Sequence, residues 1–175
     1  MLVAPEIHWN TGNVGRTCLA AGARLHLIEP LGFSLGAKEI RRAGLDYWPH
    51  VQPRLWPDWQ ALERCLPELG EPYFFTVAAE QTYWQPSYPN RTVLVFGGET
   101  RGLPAAIRQR YERRLVAIPQ DHRRVRSLNL SSCVGIGVYE VLRQRRQPGL
   151  RLSSSDESPP EGDGQDHEQA GGDRQ

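Results

Sequence analysis

The chain has 175 residues and a formal net charge of +1, a length that suits one domain of ordinary size. Its three cysteines are far apart, odd in number and without CxxC spacing, so we expect neither disulfides nor a bound metal. No run approaches the ~20 apolar residues of a membrane span, and the amino terminus lacks a signal-peptide pattern, so we expect a cytoplasmic protein with no membrane partner.

Residues 151–175 differ in composition from everything before them. Their apolar side chains are Leu152 and Ala170, among Ser, Pro, Gly, Gln and acidic residues. So little apolar surface cannot offset the entropy lost on ordering the chain. Seven acidic residues and two arginines give this segment a net charge of −5, so the rest of the chain carries +6. We therefore predict a basic folded domain at 1–150 and a disordered acidic tail at 151–175.

Short apolar runs alternate with helical patterns along residues 1–150. In chain order, these patterns predict a strand at 2–4, a helix at 11–21 ended by Gly22, a strand at 25–28, helices at 37–42 and 58–66, strands at 73–78 and 93–96, a helix at 104–113, a strand at 115–118 and a helix at 131–146. Strand–helix alternation with nearly continuous apolar strands is typical of a parallel sheet that helices cover on both faces. The predicted fold class is therefore α/β.

In such sheets, ligands bind beyond the carboxyl ends of the strands, so three loops become candidate sites. The first loop, residues 5–16, holds Asn10, Thr11 and Asn13, which are residue types that cap helices. Exposed amides at a helix start attract anions, and Arg16, about one turn inside the helix, is placed to face a bound phosphate. The alternative is an ordinary capped helix with a solvated arginine.

The second loop, residues 97–104, begins with two glycines directly after a buried strand. Glycines let the backbone pass close to a flat ligand. The loop has neither the GK[ST] ending of a Walker A motif nor a GxGxxG pattern. In the alternative interpretation, Glu99 and Arg101 simply form an ion pair across the turn.

The third loop, residues 118–132, joins the last strand to the final helix. Its first half is basic, and its second half brings hydroxyl and amide side chains to the helix entry, at Ser127, Asn129, Ser131 and Ser132. Capping needs one such residue, so the surplus indicates hydrogen bonding to a polar ligand. Gly135 and Gly137 follow inside the helix, where glycine is unfavourable, which predicts a closely packed neighbouring segment.

Four stretches in this order resemble the SPOUT (SpoU–TrmD) RNA methyltransferases: PEIxxNTGNVGR, LHLIEPLGF with RRAGLDYW, VFGGETRGLP, and IP…RSLNLSSCVGIGVYEVLRQ. The likeness is greatest to the minimal family that 2′-O-methylates the wobble nucleotide, cytidine or uridine 34, of tRNA-Leu. The resemblance implies helices around a parallel sheet, a deep C-terminal trefoil knot and a homodimer. It also implies S-adenosyl-L-methionine as the cofactor, bent within the knot, and the anticodon loop of tRNA as the partner.

The resemblance assigns roles to individual residues. The positions that match the family's cofactor contacts are Val77, Gly97, Leu103, Ile118, Ser127, Leu128 and Asn129. Arg16 matches an arginine that acts as a base or organises the substrate phosphate, and we expect the second role because a guanidinium stays protonated. Asn10 would order the first loop, and Glu99 would brace the second. Ser127 and Asn129, which complete the candidate catalytic set, would orient the methionine end of the cofactor or the ribose.

The chain departs from the family's pattern at two places. The usual Pro-Pro before the Asn is His-Trp at 8–9, and the loop at 121–125 is one residue longer and more basic than is common. The candidates for binding anticodon phosphates are Arg16, Arg123, Arg124 and Arg126. In the implied dimer, Arg16 serves the partner's cofactor.

Two alternatives stay open at this point. One is the same chemistry at another site of tRNA or rRNA, although relatives that act there often carry an additional RNA-binding extension. The other is a non-catalytic RNA-binding knot protein with a dead pocket, which binding of S-adenosylmethionine would exclude.

Overall fold

The computed structural model describes residues 1–36, 47–121 and 123–145, which contain a six-stranded sheet. The strands are β1 (Leu2–Val3), β2 (His26–Ile28), β3 (Arg54–Trp56), β4 (Glu71–Phe75), β5 (Thr92–Gly97) and β6 (Leu115–Val116). Their order in the sheet is β3-β2-β1-β5-β4-β6, and each neighbouring pair is parallel. The predicted α/β class with a parallel sheet is confirmed.

Helices cover both faces of this sheet. In the described ranges they are α1 (His8–Ala20), α2 (Trp48–Val51), α3 (Trp59–Glu63), α4 (Leu66–Leu69), α5 (Ala105–Arg110) and α6 (Leu130–Arg145), with a 3-10 turn at Glu112–Arg114. One face packs against α1, α2 and α6, and the opposite face packs against α3, α4 and α5. Consecutive strand residues such as Phe74 and Phe75 divide between the two cores, because successive side chains of a strand point to opposite faces.

Two short elements, β3 and α2, are absent from the sequence-based prediction, and the single helix predicted at 58–66 is instead two helices, α3 and α4. β3 lies at the edge of the sheet, and its first two residues, Arg54 and Leu55, are exposed, so it lacks the pattern of a buried strand. α2 is only four residues long and has a proline in its first turn. The helix predicted at 37–42 lies outside the described residues, as does the tail predicted at 151–175.

The start of α1 differs from the prediction. α1 begins at His8 rather than at 11, so the capping-type residues at 10–13 lie within the helix and their predicted capping role is wrong. The N-cap residue Ile7 makes no side-chain cap bond, and its backbone N–H donates to Glu99 at 3.3 Å. A carboxylate from a distant loop therefore replaces the local cap. At the other end, Gly22 has a φ of +62°, as expected for a residue that ends a helix.

The two glycines inside α6 have different surroundings. A Cβ on Gly137 would lie 2.8 Å from Cζ of Phe75 and 3.3 Å from Cζ of Phe96, so glycine lets the helix lie close to the sheet. The predicted close neighbour is confirmed there. A Cβ on Gly135 would meet nothing within 4 Å in the described part of the chain, so the prediction is wrong for Gly135 within a single chain.

The parallel arrangement gathers the loops that matter for function. The carboxyl ends of parallel strands share one edge of a sheet, and β1, β5, β4 and β6 are consecutive neighbours. The three loops singled out by composition follow β1, β5 and β6, so they begin along the same edge of the sheet, with the end of β4 between the second and the third. Within the described ranges, no helix is both long enough and apolar enough to cross a membrane.

Candidate active site

A cavity of about 490 Å³ lies at the carboxyl edge of the sheet. Its walls come from the ends of β4 and β5 and from the loops after β1, β4, β5 and β6. All the residues predicted to contact the cofactor line it, namely Val77, Gly97, Leu103, Ile118, Ser127, Leu128 and Asn129. The volume falls within the range of roughly 300–1,000 Å³ that is usual for small-molecule sites.

Glycine at position 97 is required by a close approach of two backbone segments. A Cβ on Gly97 would lie 2.0 Å from the carbonyl carbon of Gly102 and 2.1 Å from the nitrogen of Leu103. Gly102 has a φ of +63°, and its N–H donates to the carbonyl oxygen of Gly98 at 2.9 Å. The second loop therefore folds back on itself, and its backbone forms part of the cavity wall.

Two carboxylates tie the first and second loops together. Glu99 accepts hydrogen bonds from the backbone N–H of Glu6 at 2.7 Å and from the Nδ2 atom of Asn10 at 2.9 Å. In the opposite direction, Glu6 accepts a bond from the hydroxyl of Thr100 at 2.5 Å. The alternative interpretation, an ion pair between Glu99 and Arg101 alone, does not account for these hydrogen bonds. The predicted bracing role of Glu99 extends to the first loop, which the sequence did not indicate.

Asn10 extends this network to the third loop. Its side chain is buried, and its Oδ1 atom accepts a bond from Nδ2 of Asn129 at 2.8 Å. The Oδ1 atom of Asn129 in turn accepts bonds from the backbone N–H and the hydroxyl of Ser131, at 2.8 and 2.6 Å. A continuous chain of hydrogen bonds, Glu99–Asn10–Asn129–Ser131, therefore joins the three loops that surround the cavity.

Arg16 lies outside the cavity of its own chain. It is an exposed residue of α1, more than two turns from the start at His8, so the expected position one turn inside the helix is wrong. Its guanidinium carbon lies 4.4 Å from the ring centroid of Tyr47, whose hydroxyl donates to the carbonyl oxygen of Gly12 at 3.1 Å. The arginine is therefore held over an aromatic ring that is itself anchored to α1.

The arginines of the third loop occupy different positions. Arg126 lines the cavity. The side chains of Arg123 and Arg124 are 91% and 86% exposed, and both lie near Asp121, at N–O distances of 3.1 and 3.5 Å. Such exposed ion pairs contribute little to stability, so both guanidinium groups can exchange Asp121 for another anion.

The cavity contains two further arginines that the sequence did not assign to a ligand. Arg101 belongs to the second loop, and Arg108 lies one turn into α5. The buried Nε atom of Arg108 has no hydrogen-bond partner in the described part of the chain. Together with Arg126, these side chains suit an anionic group such as a carboxylate or a phosphate. The sequence feature that could have identified Arg108 as a cavity residue is its position one helical turn after Pro104, which ends the second loop.

Among the described residues that line the cavity, the thiol of Cys133 is not activated for covalent chemistry. Burial raises the pKa of the Cys133 thiol, which lines the cavity wall, so this group stays protonated near neutral pH. The three cysteines of the chain are free thiols. In the ranges that the structure describes, His, Cys, Asp and Glu side chains form no group of three or more that could hold a metal ion.

A family model described as the SpoU rRNA methylase family matches residues 1–139. The tRNA (cytidine(34)-2'-O)-methyltransferase of Burkholderia cenocepacia is 44% identical to this chain over 149 residues, which cover 82% of this chain and 93% of that protein. The protein of the same name from Acidovorax is 42% identical, covering 82% of this chain and 90% of its own length.

Solved structures show the same likeness. A structure described as giving insights into the 2-OH methylation of C/U34 on tRNA superimposes with a TM-score of 0.76 and 42% identity, covering 83% of this chain and 93% of that one. An AdoMet-bound rRNA methyltransferase from Sinorhizobium meliloti superimposes with a TM-score of 0.71 and 26% identity, covering 81% of this chain and 54% of that one.

Proposed function

The chain belongs to the SpoU rRNA methylase family, and from that membership we propose that it is a tRNA 2′-O-ribose methyltransferase that modifies nucleotide 34, the wobble cytidine or uridine, of tRNA-Leu. The observation that carries this proposal is the 44% identity to a tRNA (cytidine(34)-2'-O)-methyltransferase over 93% of that protein's length. The location of the predicted cofactor contacts around one cavity supports it.

We propose S-adenosyl-L-methionine as the cofactor, which supplies an activated methyl group on its sulfonium. The cavity fits such a ligand because its volume is suitable and because backbone of the second loop forms a wall without side chains at Gly97 and Gly98. Val77, Leu103, Ile118 and Leu128 would hold the cofactor's apolar parts and its base through main-chain and apolar contacts.

Polar residues of this chain then have distinct tasks. Asn10 and Glu99 keep the loops in register, while Ser127 and Asn129 orient the methionine end of the cofactor or the ribose. Arg16 binds a substrate phosphate beside the reacting hydroxyl, and it stabilises charge rather than removing a proton, because guanidinium groups stay protonated. Fixing donor and acceptor in line lowers the barrier to such a transfer.

We further propose a homodimer in which Arg16 of one protomer acts at the cavity of its partner. Two observations support this: Arg16 does not line the cavity of its own chain, and the open side of α6 at Gly135 leaves room for a closely packed helix. The fold family also predicts a trefoil knot in the C-terminal part of the domain at 1–150, with residues 151–175 as an appended acidic tail.

Comparison of tRNA from a deletion strain and its parent tests the function. Nuclease digestion and mass spectrometry of purified tRNA-Leu should show that the 2′-O-methyl group at nucleotide 34 disappears in the deletion strain and returns on complementation. An unchanged methyl level at nucleotide 34 would exclude this substrate. Loss of a methyl group elsewhere in tRNA or rRNA would instead favour the alternative site. Calorimetry that detects no binding of S-adenosylmethionine at millimolar concentration would favour a non-catalytic RNA-binding protein.

A further inference from the structure

An exposed aromatic patch lies beside the cavity at the start of α1. Trp9 is 52% exposed, whereas Trp48 and Trp56 are buried in the two cores. The ring of His8 packs against Trp9 with a centroid distance of 4.4 Å, and Phe33 lies 6.4 Å from His8. A large aromatic side chain that is supported from one side and open to solvent is typical of a binding surface rather than of a core.

Trp9 is close to the cavity wall and shares a helix face with Arg16. Ile7, two residues before Trp9, and Asn10, directly after it, both line the cavity. Trp9, Asn13 and Arg16 are all exposed, at the i, i+4 and i+7 spacing that places residues on one side of a helix. Seven residues of helix span about 10 Å, so a short stretch of RNA can contact both Trp9 and Arg16.

We propose that Trp9 is a stacking platform for a base of single-stranded RNA next to the nucleotide that is methylated, with Arg16 holding an adjacent phosphate. This inference rests on the proposed function, which supplies an anticodon loop with unpaired bases. Aromatic side chains bind the faces of bases in single-stranded RNA, and an arginine on the same surface complements the phosphates. The net charge of +6 outside residues 151–175 favours the same partner.

Trp9 contacts the same RNA as Arg16, whether Arg16 acts at the cavity of its own chain or at that of the partner. Because both side chains lie on the exposed face of one helix, about 10 Å apart, RNA that Arg16 holds at the partner's cavity stays within reach of Trp9. Stacking is independent of base identity, so Trp9 contributes affinity and position, while other contacts select the tRNA.

Fluorescence anisotropy with a labelled anticodon stem-loop RNA tests the platform on the full-length protein. We expect Trp9→Ala to weaken binding about tenfold, the size of effect usual for loss of one stacked base. Trp9→Phe should retain most of the affinity because it keeps an aromatic face. Trp84→Ala is the matched control, since Trp84 is 50% exposed and does not line the cavity. Calorimetry should show that S-adenosylmethionine binds equally to all variants.

Three results would overturn the platform. The first is failure of the wild-type protein to bind the stem-loop, and the second is equal binding by the Trp9→Ala and Trp84→Ala proteins. The third is dissociation of a dimer to monomers when Trp9 is replaced, seen as a lower mass in sedimentation, because that would mean that a second copy covers the patch. The binding assay involves no methyl transfer. RNA binding that depends on Trp9, together with an unchanged methyl level in the deletion strain, would therefore reject the proposed function and retain the platform.

Discussion

Asn10 is a buried amide whose two functional atoms bond to two different loops. Its Nδ2 atom donates to Glu99 and its Oδ1 atom accepts from Asn129, at 2.9 and 2.8 Å. The partners are 89 and 119 positions away in the chain. Because Glu99 also accepts a backbone N–H of the first loop, removal of Asn10 leaves two polar groups with fewer partners beside the cavity. One side chain thus affects both stability and the shape of the candidate site.

We expect Asn10→Ala to lower the free energy of unfolding by about 1–3 kcal/mol, since buried groups lose hydrogen bonds. The same change should weaken binding of S-adenosylmethionine, because the three loops lose their common link. Urea denaturation and calorimetry measure the two effects. Asn13→Ala provides the control: Asn13 is an exposed residue of the same helix, and its replacement should change stability by no more than about 0.5 kcal/mol. Equal stabilities of the two variants would contradict the bridging role of Asn10.

At the scale of secondary-structure elements, β2 and β3 are joined by a side-chain hydrogen bond within the buried part of the sheet. The Nε1–H of Trp56 donates to Nδ1 of His26 at 3.0 Å, and the two rings stack with centroids 5.9 Å apart. Burial, together with nearby positive charges, lowers the pKa of His26 to about 4. Protonation of Nδ1 would remove the acceptor of this bond, so the neutral imidazole is the form that stabilises the edge strand.

The lowered pKa of His26 predicts a loss of stability in mild acid. The unfolded chain takes up this proton near pH 6.5 and the folded chain only near pH 4, so the unfolded state binds more protons between those values. The free energy of unfolding should therefore fall as pH decreases from 6.5 towards 4, by at most about 1.4 kcal/mol per pH unit from this group.

Urea denaturation of wild-type protein and His26→Gln across this pH range checks the assignment. Glutamine does not titrate, and its amide oxygen can accept the bond from Trp56. The variant should show a flatter dependence on pH. If both proteins lose stability in parallel, another group is responsible.

For the molecule as a whole, the proposed sharing of each active site between two copies makes a prediction that a monomeric site does not. Arg16→Ala should abolish methyl transfer but leave the affinity for S-adenosylmethionine nearly unchanged, because Arg16 does not line the cavity of its own chain. Gly97→Ala should abolish cofactor binding, because its Cβ would collide with the backbone at Gly102.

Mixed dimers of these two inactive variants test whether Arg16 acts across the interface. A heterodimer contains one site in which the intact cavity belongs to the Arg16→Ala chain and the intact Arg16 belongs to the other chain. Co-expression of the two variants under separate affinity tags, followed by purification on both, should recover part of the methyl transfer. Activity that stays at the level of the single variants would place Arg16 and the cavity in the same chain.

The sequence predicted the fold class and most elements because the relevant signals are local. Apolar runs revealed five of the strands, and small and polar residues after them revealed the three loops. The elements it missed, at Trp48–Val51 and Arg54–Trp56, are too short to show a period. The cofactor contacts came from a resemblance, and all of them line one cavity, although their roles remain predictions.

The alternation of strands and helices and the chemistry of each loop follow from the sequence alone, because hydrophobic period and residue size act between near neighbours. Long-range contacts were needed to show that Asn10 joins Glu99 to Asn129, that Arg108 lines the cavity and that Arg16 lies outside it. These outcomes depend on the strand order, which sets β1 beside β5 and β5 beside β4. Which strands become neighbours depends on packing across the whole core, and no local pattern of residues encodes the strand order.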